Sequence, residues 1–150
     1  MKLSIAFLFP VLILTACGQP VYQAKYSITV ASEYVESFKV EAIANGRNLA
    51  SVEHNLIIKL GHLPPGELGV CKQTAGQNMI VLSVDWWSLL PALEQQELVW
   101  HELGHCWLNR GHTNARLADD SPISIMNTYH FDAQTYWAHY DYYNAELFGN

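Results

Sequence analysis

Two histidines one helical turn apart, with a glutamate beside the first, are the residues that most directly suggest chemistry. His101 and His105 stand in the string HELGHCWLNRGH, residues 101–112, and Glu102 follows the first histidine. On an α-helix, residues four apart share a face, so both imidazoles can reach one ion. Zinc accepts imidazole nitrogen, and a catalytic zinc site keeps one position for water. The pattern therefore predicts a zinc site in which Glu102 takes a proton from the attacking water and returns it to the leaving amine.

A third ligand has to come from beyond the helix, because a residue farther along the helix axis lies too far from the ion. His112 is the candidate, and Asn109 is the non-glycine residue best suited to the left-handed conformation that ends a helix. If Asn109 ends the helix and the chain turns back, His112 meets the first two histidines. Other ligands stay open: Asp119 or Asp120 is the better alternative, and the downstream glutamate Glu146 is a poorer one.

The string resembles the signature of the metzincin clan of zinc metallopeptidases, HExxHxxGxxH, with two departures. Leu108 stands where the clan has its glycine, Gly111 stands where it has its third histidine, and His112 follows one residue later. Since Asn109 would also end the helix one residue later, we interpret the departure as a coordinated shift of the third ligand. The resemblance implies a Zn²⁺ cofactor with three ligands, namely His101, His105 and His112.

A Ser-Ile-Met string downstream supports the same resemblance. Metzincins carry a methionine in a tight turn beneath the metal, often within Ser-x-Met, and Met126 ends such a string fourteen residues past His112. The resemblance implies that Met126 packs under the imidazoles without binding the ion. Tyr129 invites comparison with a tyrosine that some metzincins place near the metal, one residue closer to the methionine. There it would hydrogen-bond a developing oxyanion, and packing is the alternative role.

Composition narrows the class of protein further. Half of the 150 residues are hydrophobic and 15% are charged, which suits one compact domain with its own core. The net charge of −6, the pI near 5.5 and only eight scattered Lys and Arg argue against a nucleic-acid partner. A peptide or protein substrate is the partner that the motifs predict.

The N-terminus predicts export and a lipid anchor. Its apolar run over 3–14 suits a signal-peptide core and is too short to span a bilayer. Leu-Thr-Ala-Cys, ending at Cys17, resembles the lipobox of bacterial lipoproteins, which implies cleavage before Cys17 and lipidation of this cysteine. An ordinary secretory signal is the alternative. We expect a signal over 1–16, a tether over 17–31 and a metallopeptidase domain over 32–150, held to a membrane of the bacterial cell envelope.

Two cysteines remain once Cys17 is set aside. In an oxidising compartment Cys71 and Cys106 can pair, and closing this loop would stabilise the fold by about 4 kcal/mol. Two separate buried thiols are the alternative, because the sequence does not place the two Cα atoms. We expect the disulfide.

The predicted order of helices and strands indicates an α+β fold. We expect a single small zincin-like domain with a short mixed sheet, an active-site helix and a C-terminal helix. Apolar spacing predicts a first helix from Ser32, with this serine as N-cap. Strands are predicted over 55–60, 68–72 and 79–84. A helix from near Pro91 carries the motif. Asp132 caps a last helix whose apolar face comprises Tyr136, Trp137, Tyr140, Tyr143, Leu147 and Phe148.

Two functional hypotheses fit these observations. The first is a lipid-anchored, zinc-dependent endopeptidase of metzincin-like kind. The second is a surface lipoprotein that binds zinc without catalysis and acts as a binding or assembly factor. Glu102 favours the first hypothesis, since a structural zinc site has no need of a general base.

Overall fold

The computed structural model describes residues 31–149, so the expected signal over 1–16, the lipidation site Cys17 and the tether before Ala31 lie outside the described residues. The described part contains four α-helices and three strands: α1 Ser32–Ala44, β1 Leu56–Gly61, β2 Gly69–Thr74, β3 Gln77–Ser83, α2 Ala92–Leu108, α3 Ala133–Ala138 and α4 Tyr140–Phe148. Short 3₁₀ helices at Glu53–Asn55 and Trp87–Leu89 precede β1 and α2. None of the described helices is long and apolar enough to cross a membrane.

The three strands form one mixed sheet in the order β1-β3-β2, which confirms the predicted α+β class. β1 runs parallel to β3, and β2 runs antiparallel to it with Cys71 opposite Ile80. A tight turn joins β2 to β3, and Gly76 in this turn has a φ of 85°, which glycine adopts at little cost. β2 is thus an edge strand, and it packs against α2.

An aromatic cluster fixes the orientation of α2. The buried Phe38 ring of α1 makes edge-to-face contacts with Trp100 and Trp107 of α2 and with Phe148 of α4. The Trp100 Nε1–H donates to the Tyr34 carbonyl at 3.0 Å, so this fully buried indole has its polar atom satisfied. Because one face of α2 is held in this core, a different face is presented to β2 and to the cleft beside it.

α1 begins one residue earlier than its predicted cap implies. Ala31 is the N-cap and Ser32 is already helical, so the prediction of Ser32 as N-cap is wrong. The helix ends at Ala44, where Asn45 leaves helical geometry and Gly46 takes a φ of 75°. The first helix thus ends at this Asn-Gly pair.

The C-terminal helix is two helices rather than the single one predicted. Asp132 caps α3 as expected, its side chain accepting a hydrogen bond from a first-turn amide. His139, with φ −119° and ψ 18°, then interrupts the helix before α4. Tyr136 and Tyr143 are fully buried, whereas Trp137 is 65% exposed. Trp137 therefore does not belong to the buried face, since residues adjacent on a helix point about 100° apart.

Candidate metal centre

Three imidazoles converge beside α2. The Nε2 atom of His101 lies 3.0 Å from that of His105 and 3.1 Å from that of His112, and the latter two are 3.0 Å apart. A tetrahedral zinc ion with Zn–N distances of about 2.0–2.1 Å holds its ligand nitrogens about 3.3 Å apart. The triangle therefore needs adjustments of only a few tenths of an ångström to fit one ion. Across the described residues, these three histidines form the group that could hold a metal.

Backbone carbonyls orient two of the imidazoles. His101 Nδ1 lies 2.6 Å from the Ile125 carbonyl oxygen, and His105 Nδ1 lies 2.6 Å from that of Arg110. A carbonyl oxygen only accepts, so in each ring Nδ1 carries the proton and Nε2 presents a lone pair. Two lone pairs 3.0 Å apart repel each other unless a cation lies between them, so the donor set fits a metal ion.

Burial keeps these imidazoles neutral. It lowers the pKa of His101 to about 4, although the hydrogen bond to Ile125 opposes the shift. Burial also lowers the pKa of His105, with the Arg110 carbonyl acting in the opposite sense. Neutral imidazole is the form that binds a metal, so both rings are ready to bind near neutral pH.

The turn that returns His112 to the other ligands begins at Asn109. This residue has φ 52° and ψ 36°, the left-handed conformation expected for it, and it is the C-cap of α2. The amides of Asn109 and Arg110 both donate to the Gly104 carbonyl oxygen. Beyond the histidine, the Thr113 amide donates to the Met126 carbonyl at 2.9 Å. The third histidine is thereby held between the end of the helix and the methionine segment.

Arg110 joins this ligand loop to the last helix. Its backbone carbonyl accepts from His105, as described above. Its guanidinium donates to the carbonyl oxygens of Glu146 at 2.8 Å and Leu147 at 2.9 Å, and it also pairs with the Glu146 carboxylate. These carbonyls belong to the last turn of α4, where intrahelical partners are lacking. One arginine therefore connects a metal-site residue with the end of α4.

Met126 lies fully buried against the turn of α2 between the two helical histidines. Its sulfur occupies the space that a Cβ on Gly104 would need, so any other residue at that position would force the Met126 side chain to move. The Met126 amide donates to the Ser124 hydroxyl oxygen at 3.0 Å, and this hydroxyl in turn donates to Glu146 at 2.5 Å. Ser124 thus fixes the turn, and Ile125 between the two residues supplies the carbonyl that orients His101.

Glu102 is buried against β2, with 3% of its surface exposed. The Cys71 amide donates to its carboxylate, while Oε2 has no hydrogen-bond partner among the described residues. A Cβ on Gly69 would lie 2.8 Å from Oε1, so this glycine leaves the space that the carboxylate fills. Burial raises the pKa of Glu102 to about 8, against the effect of the Cys71 amide. A buried carboxylate oxygen without a partner is a place for a polar ligand such as water.

β2 is attached to α2 at three alternate positions, which face the helix because side chains alternate along a strand. Gly69 contacts Glu102, and Cys71 forms a disulfide with Cys106, with an S–S distance of 2.02 Å and Cα atoms 5.7 Å apart. The Gln73 amide nitrogen donates to the carbonyl oxygen of Cys106 at 3.1 Å and to that of His105 at 3.3 Å. The structure thus contains the disulfide expected between these two cysteines.

The carboxylates considered as alternative third ligands are engaged elsewhere. Each is paired with a cationic or imidazole side chain: Glu146 with Arg110, Asp119 with His139 at 3.1 Å and Asp120 with Arg116 at 3.6 Å. None of them belongs to the metal-binding group found among the described residues. His112 is the third ligand that the geometry supports.

A cleft of about 720 Å³ runs along the histidines. It is lined by β2 with the turn before it, by α2, and by residues 127–130. Tyr129 belongs to this lining and is 74% exposed, so it is open to a molecule in the cleft. The oxyanion role expected for Tyr129 stays a prediction.

His130 is a residue of this cleft that the sequence analysis did not select. Its Nδ1 lies 2.5 Å from Glu97 and its Nε2 lies 3.1 Å from Glu94, which ties residues 127–130 to α2 one turn before the first metal ligand. Burial lowers the pKa of His130, but the hydrogen bonds and charges of Glu97 and Glu94 outweigh it and raise the pKa to about 9. The sequence pattern covers only the two glutamates, which lie on the same face of α2 as His101, and no local pattern points to His130.

No protein-family model matches the sequence, and no curated protein matches it. Among solved structures, a chain of the GM1-bound form of the ECX AB5 holotoxin is similar to this one, with a TM-score of 0.45 and 18% sequence identity. The similarity covers 73% of this chain, which spans 60% of the length of the toxin chain. Functional inference therefore rests on the geometry of the site.

Proposed function

We propose that this protein is a zinc-dependent endopeptidase in which three histidines hold the ion and Glu102 moves the proton. The observation that carries the proposal is the unpartnered, buried Glu102 Oε2 on the helix turn that bears His101 and His105. A structural zinc site takes four protein ligands, whereas a catalytic site takes three and leaves a position for water. The three gathered imidazoles and the separate carboxylate support the catalytic kind.

The roles follow from the hydrogen bonds at each atom. A zinc ion at this site would polarise the scissile carbonyl and lower the pKa of water. The charge of that ion would lower the pKa of Glu102 from the value that burial gives it. Glu102 Oε2, which has no partner among the described residues, would then accept the proton of that water and deliver it to the leaving amine. The Cys71 amide holds the other side of this carboxylate in place. Tyr129, exposed in the cleft, would donate to the oxyanion that develops.

We further propose that the enzyme works in a bacterial cell envelope, attached through a lipid on Cys17. The lipobox resemblance of the residues before Cys17 supports this placement. The disulfide between Cys71 and Cys106 also supports it, because disulfides persist in oxidising compartments. The substrate would then be a peptide or an envelope protein that reaches the cleft.

The test uses the chain from residue 18 onward, as wild type, Glu102→Gln and His112→Ala. Bound metal is measured by elemental analysis, and cleavage of a diverse peptide library is mapped by mass spectrometry. We expect zinc in wild type and Glu102→Gln and weaker zinc binding in His112→Ala. We expect cleavage by the wild type, and cleavage by Glu102→Gln that is reduced about 10²- to 10⁴-fold.

Two results would contradict the proposal. Stoichiometric zinc with no cleavage above the Glu102→Gln background would favour the alternative of a non-catalytic zinc-binding lipoprotein. Full zinc retention in His112→Ala would mean that a different residue supplies the third ligand. Removal of zinc by a chelator, followed by its return, separates metal-dependent cleavage from a contaminating protease.

A further inference from the structure

Most of the charged side chains that line the cleft are either buried or paired with an opposite charge. Apart from the three metal-site histidines, the acidic and basic side chains of the lining are Glu67, Glu97, Glu102, Arg110 and His130. Glu97 pairs with His130, and Arg110 pairs with Glu146 outside the cleft. Glu102 is the proposed proton carrier. Glu67 is left as the exposed charge of the lining without a side-chain partner among the described residues.

A rigid turn holds Glu67 at the rim of the cleft. The turn is Pro64-Pro65-Gly66-Glu67, closed by a hydrogen bond from the Glu67 amide to the Pro64 carbonyl at 3.1 Å. The proline rings restrict φ, and Gly66 takes a φ of 90°, which L side chains rarely adopt. The next residue, Leu68, accepts a hydrogen bond from the Ser83 amide at 2.8 Å, which joins the turn to the sheet. The backbone position of Glu67 is therefore fixed.

Glu67 lies close to the reacting groups. It is two residues before Gly69, which contacts the Glu102 carboxylate. Burial is the main cause of the raised pKa of Glu102, and the charges of Glu97 and Glu67 raise this pKa further. The other exposed residues of the lining near the histidines include Thr128 and Tyr129, which are neither acidic nor basic residues. Among the described residues of the lining, Glu67 is thus the exposed acidic side chain that a substrate meets beside the site.

We propose that Glu67 makes the cleft select peptides that carry a lysine or arginine side chain near the scissile bond. This inference rests on the proposed peptidase function of the same site. A cationic side chain gains an ion pair with Glu67, and an acidic side chain is repelled. Because Glu67 is solvent-exposed, the expected preference for arginine over glutamate is about two- to fivefold. The preference should shrink at about 0.5 M NaCl, which screens exposed charges.

The first measurement is binding, which needs no catalysis. Fluorescent peptides identical except for arginine, glutamine or glutamate at one scanned position are titrated into zinc-loaded Glu102→Gln protein. The same titrations are made with Glu67→Lys added to that background. The matched control adds Asp141→Lys instead, an exposed position on α4 outside the cleft lining with the same change in net charge. We expect tighter binding of the arginine peptide, reversal with Glu67→Lys, and no reversal with Asp141→Lys.

The second measurement is cleavage of the same peptides by protein with Glu102 intact. Wild-type cleavage with an arginine-to-glutamate ratio unchanged by Glu67→Lys would overturn the inference and leave the proposed function standing. A binding preference that reverses with Glu67→Lys, without cleavage of any peptide, would support the inference and overturn the proposed function. Equal effects of Glu67→Lys and Asp141→Lys would overturn the inference, because the preference would then follow net charge.

Discussion

A residue without a side chain sets the position of the proposed catalytic carboxylate. Gly69 on β2 faces Glu102, and the space of its missing Cβ is taken by the Oε1 and Cγ atoms of that glutamate. The Cys71 amide, two residues along the strand, donates to the same carboxylate. Glu102 is therefore confined by a hydrogen bond and by a close backbone approach that only glycine permits.

Gly69→Ala should reduce kcat while leaving bound zinc unchanged. The added methyl group would overlap the Glu102 carboxylate and push it out of position, and displacements of about 1 Å can cost about 10²-fold in rate. Steady-state kinetics and zinc analysis measure the two effects. Gly61→Ala in β1 is the matched control, since its Cβ would approach Val81 at 2.9 Å in the same sheet. Equal losses of kcat in both variants would contradict the positioning role.

At the scale of secondary-structure elements, the disulfide holds the edge strand to the helix that carries the ligands. Replacing Cys71 and Cys106 by serine should lower the free energy of unfolding by about 4 kcal/mol, because the unfolded chain is no longer constrained over a separation of 35 residues. Urea denaturation with and without a reductant measures this loss. The double variant should be insensitive to the reductant, and a wild-type protein equally insensitive would show that the bond contributes little.

The end of α2 determines where the third ligand lies. Asn109→Ala should cost about 1 kcal/mol of stability, because alanine lacks the local tolerance of asparagine for the left-handed conformation. It should also weaken zinc binding, since the turn at Asn109 positions Arg110 and the proposed ligand His112. Asn109→Gly is the control, as glycine adopts this conformation freely. Thermal unfolding and competition with a chelator measure the two effects, and equal behaviour of the two variants would contradict the explanation.

The elements most predictable from the sequence were those with strong local signals. The spacing of His101 and His105 on a helix, the turn glycines around the strands and the cap at Asp132 act within a few residues, so the α+β class could be inferred. The left-handed Asn109 is of the same kind. The interruption at His139 and the exposure of Trp137 depend on packing between distant segments, which no local pattern reports.

The pairing of His130 with two glutamates of α2 was unpredictable for a related reason. The partners are 33 and 36 residues away, and their contact exists only once the chain after Met126 has folded back over the helix. His130 has no ligand spacing to the motif. Tertiary structure alone therefore reveals this ion-pair cluster in the cleft.

At the scale of the whole molecule, this cluster predicts a pH dependence of stability. The pKa of His130 is about 9 in the folded state against an ordinary value of 6.5, so folding favours its protonated form. The stabilisation is fully present below about pH 6.5 and is lost as the pH rises through about 9. His130→Gln lacks the titrating group. The difference in unfolding free energy between wild type and His130→Gln should therefore shrink by about 1–3 kcal/mol over this range.

Urea unfolding of both proteins at several pH values measures this difference. Glu94 and Glu97 are kept in both proteins, so their own titration largely cancels in the comparison. A difference that stays constant between about pH 6.5 and pH 9 would contradict the protonated state assigned to His130.

Arg110 connects the metal site to α4, a helix that the three ligands do not contact through their own hydrogen bonds. The residue whose carbonyl orients His105 also holds the last carbonyls of α4, so the two regions share one rigid connection. An ion that binds better to the ordered ligand loop also stabilises the docked position of α4. By thermodynamic linkage, undocking α4 lowers the affinity for the ion by the same factor. Hydrogen exchange along α4 would thus report metal occupancy from a helix that contains none of the ligands.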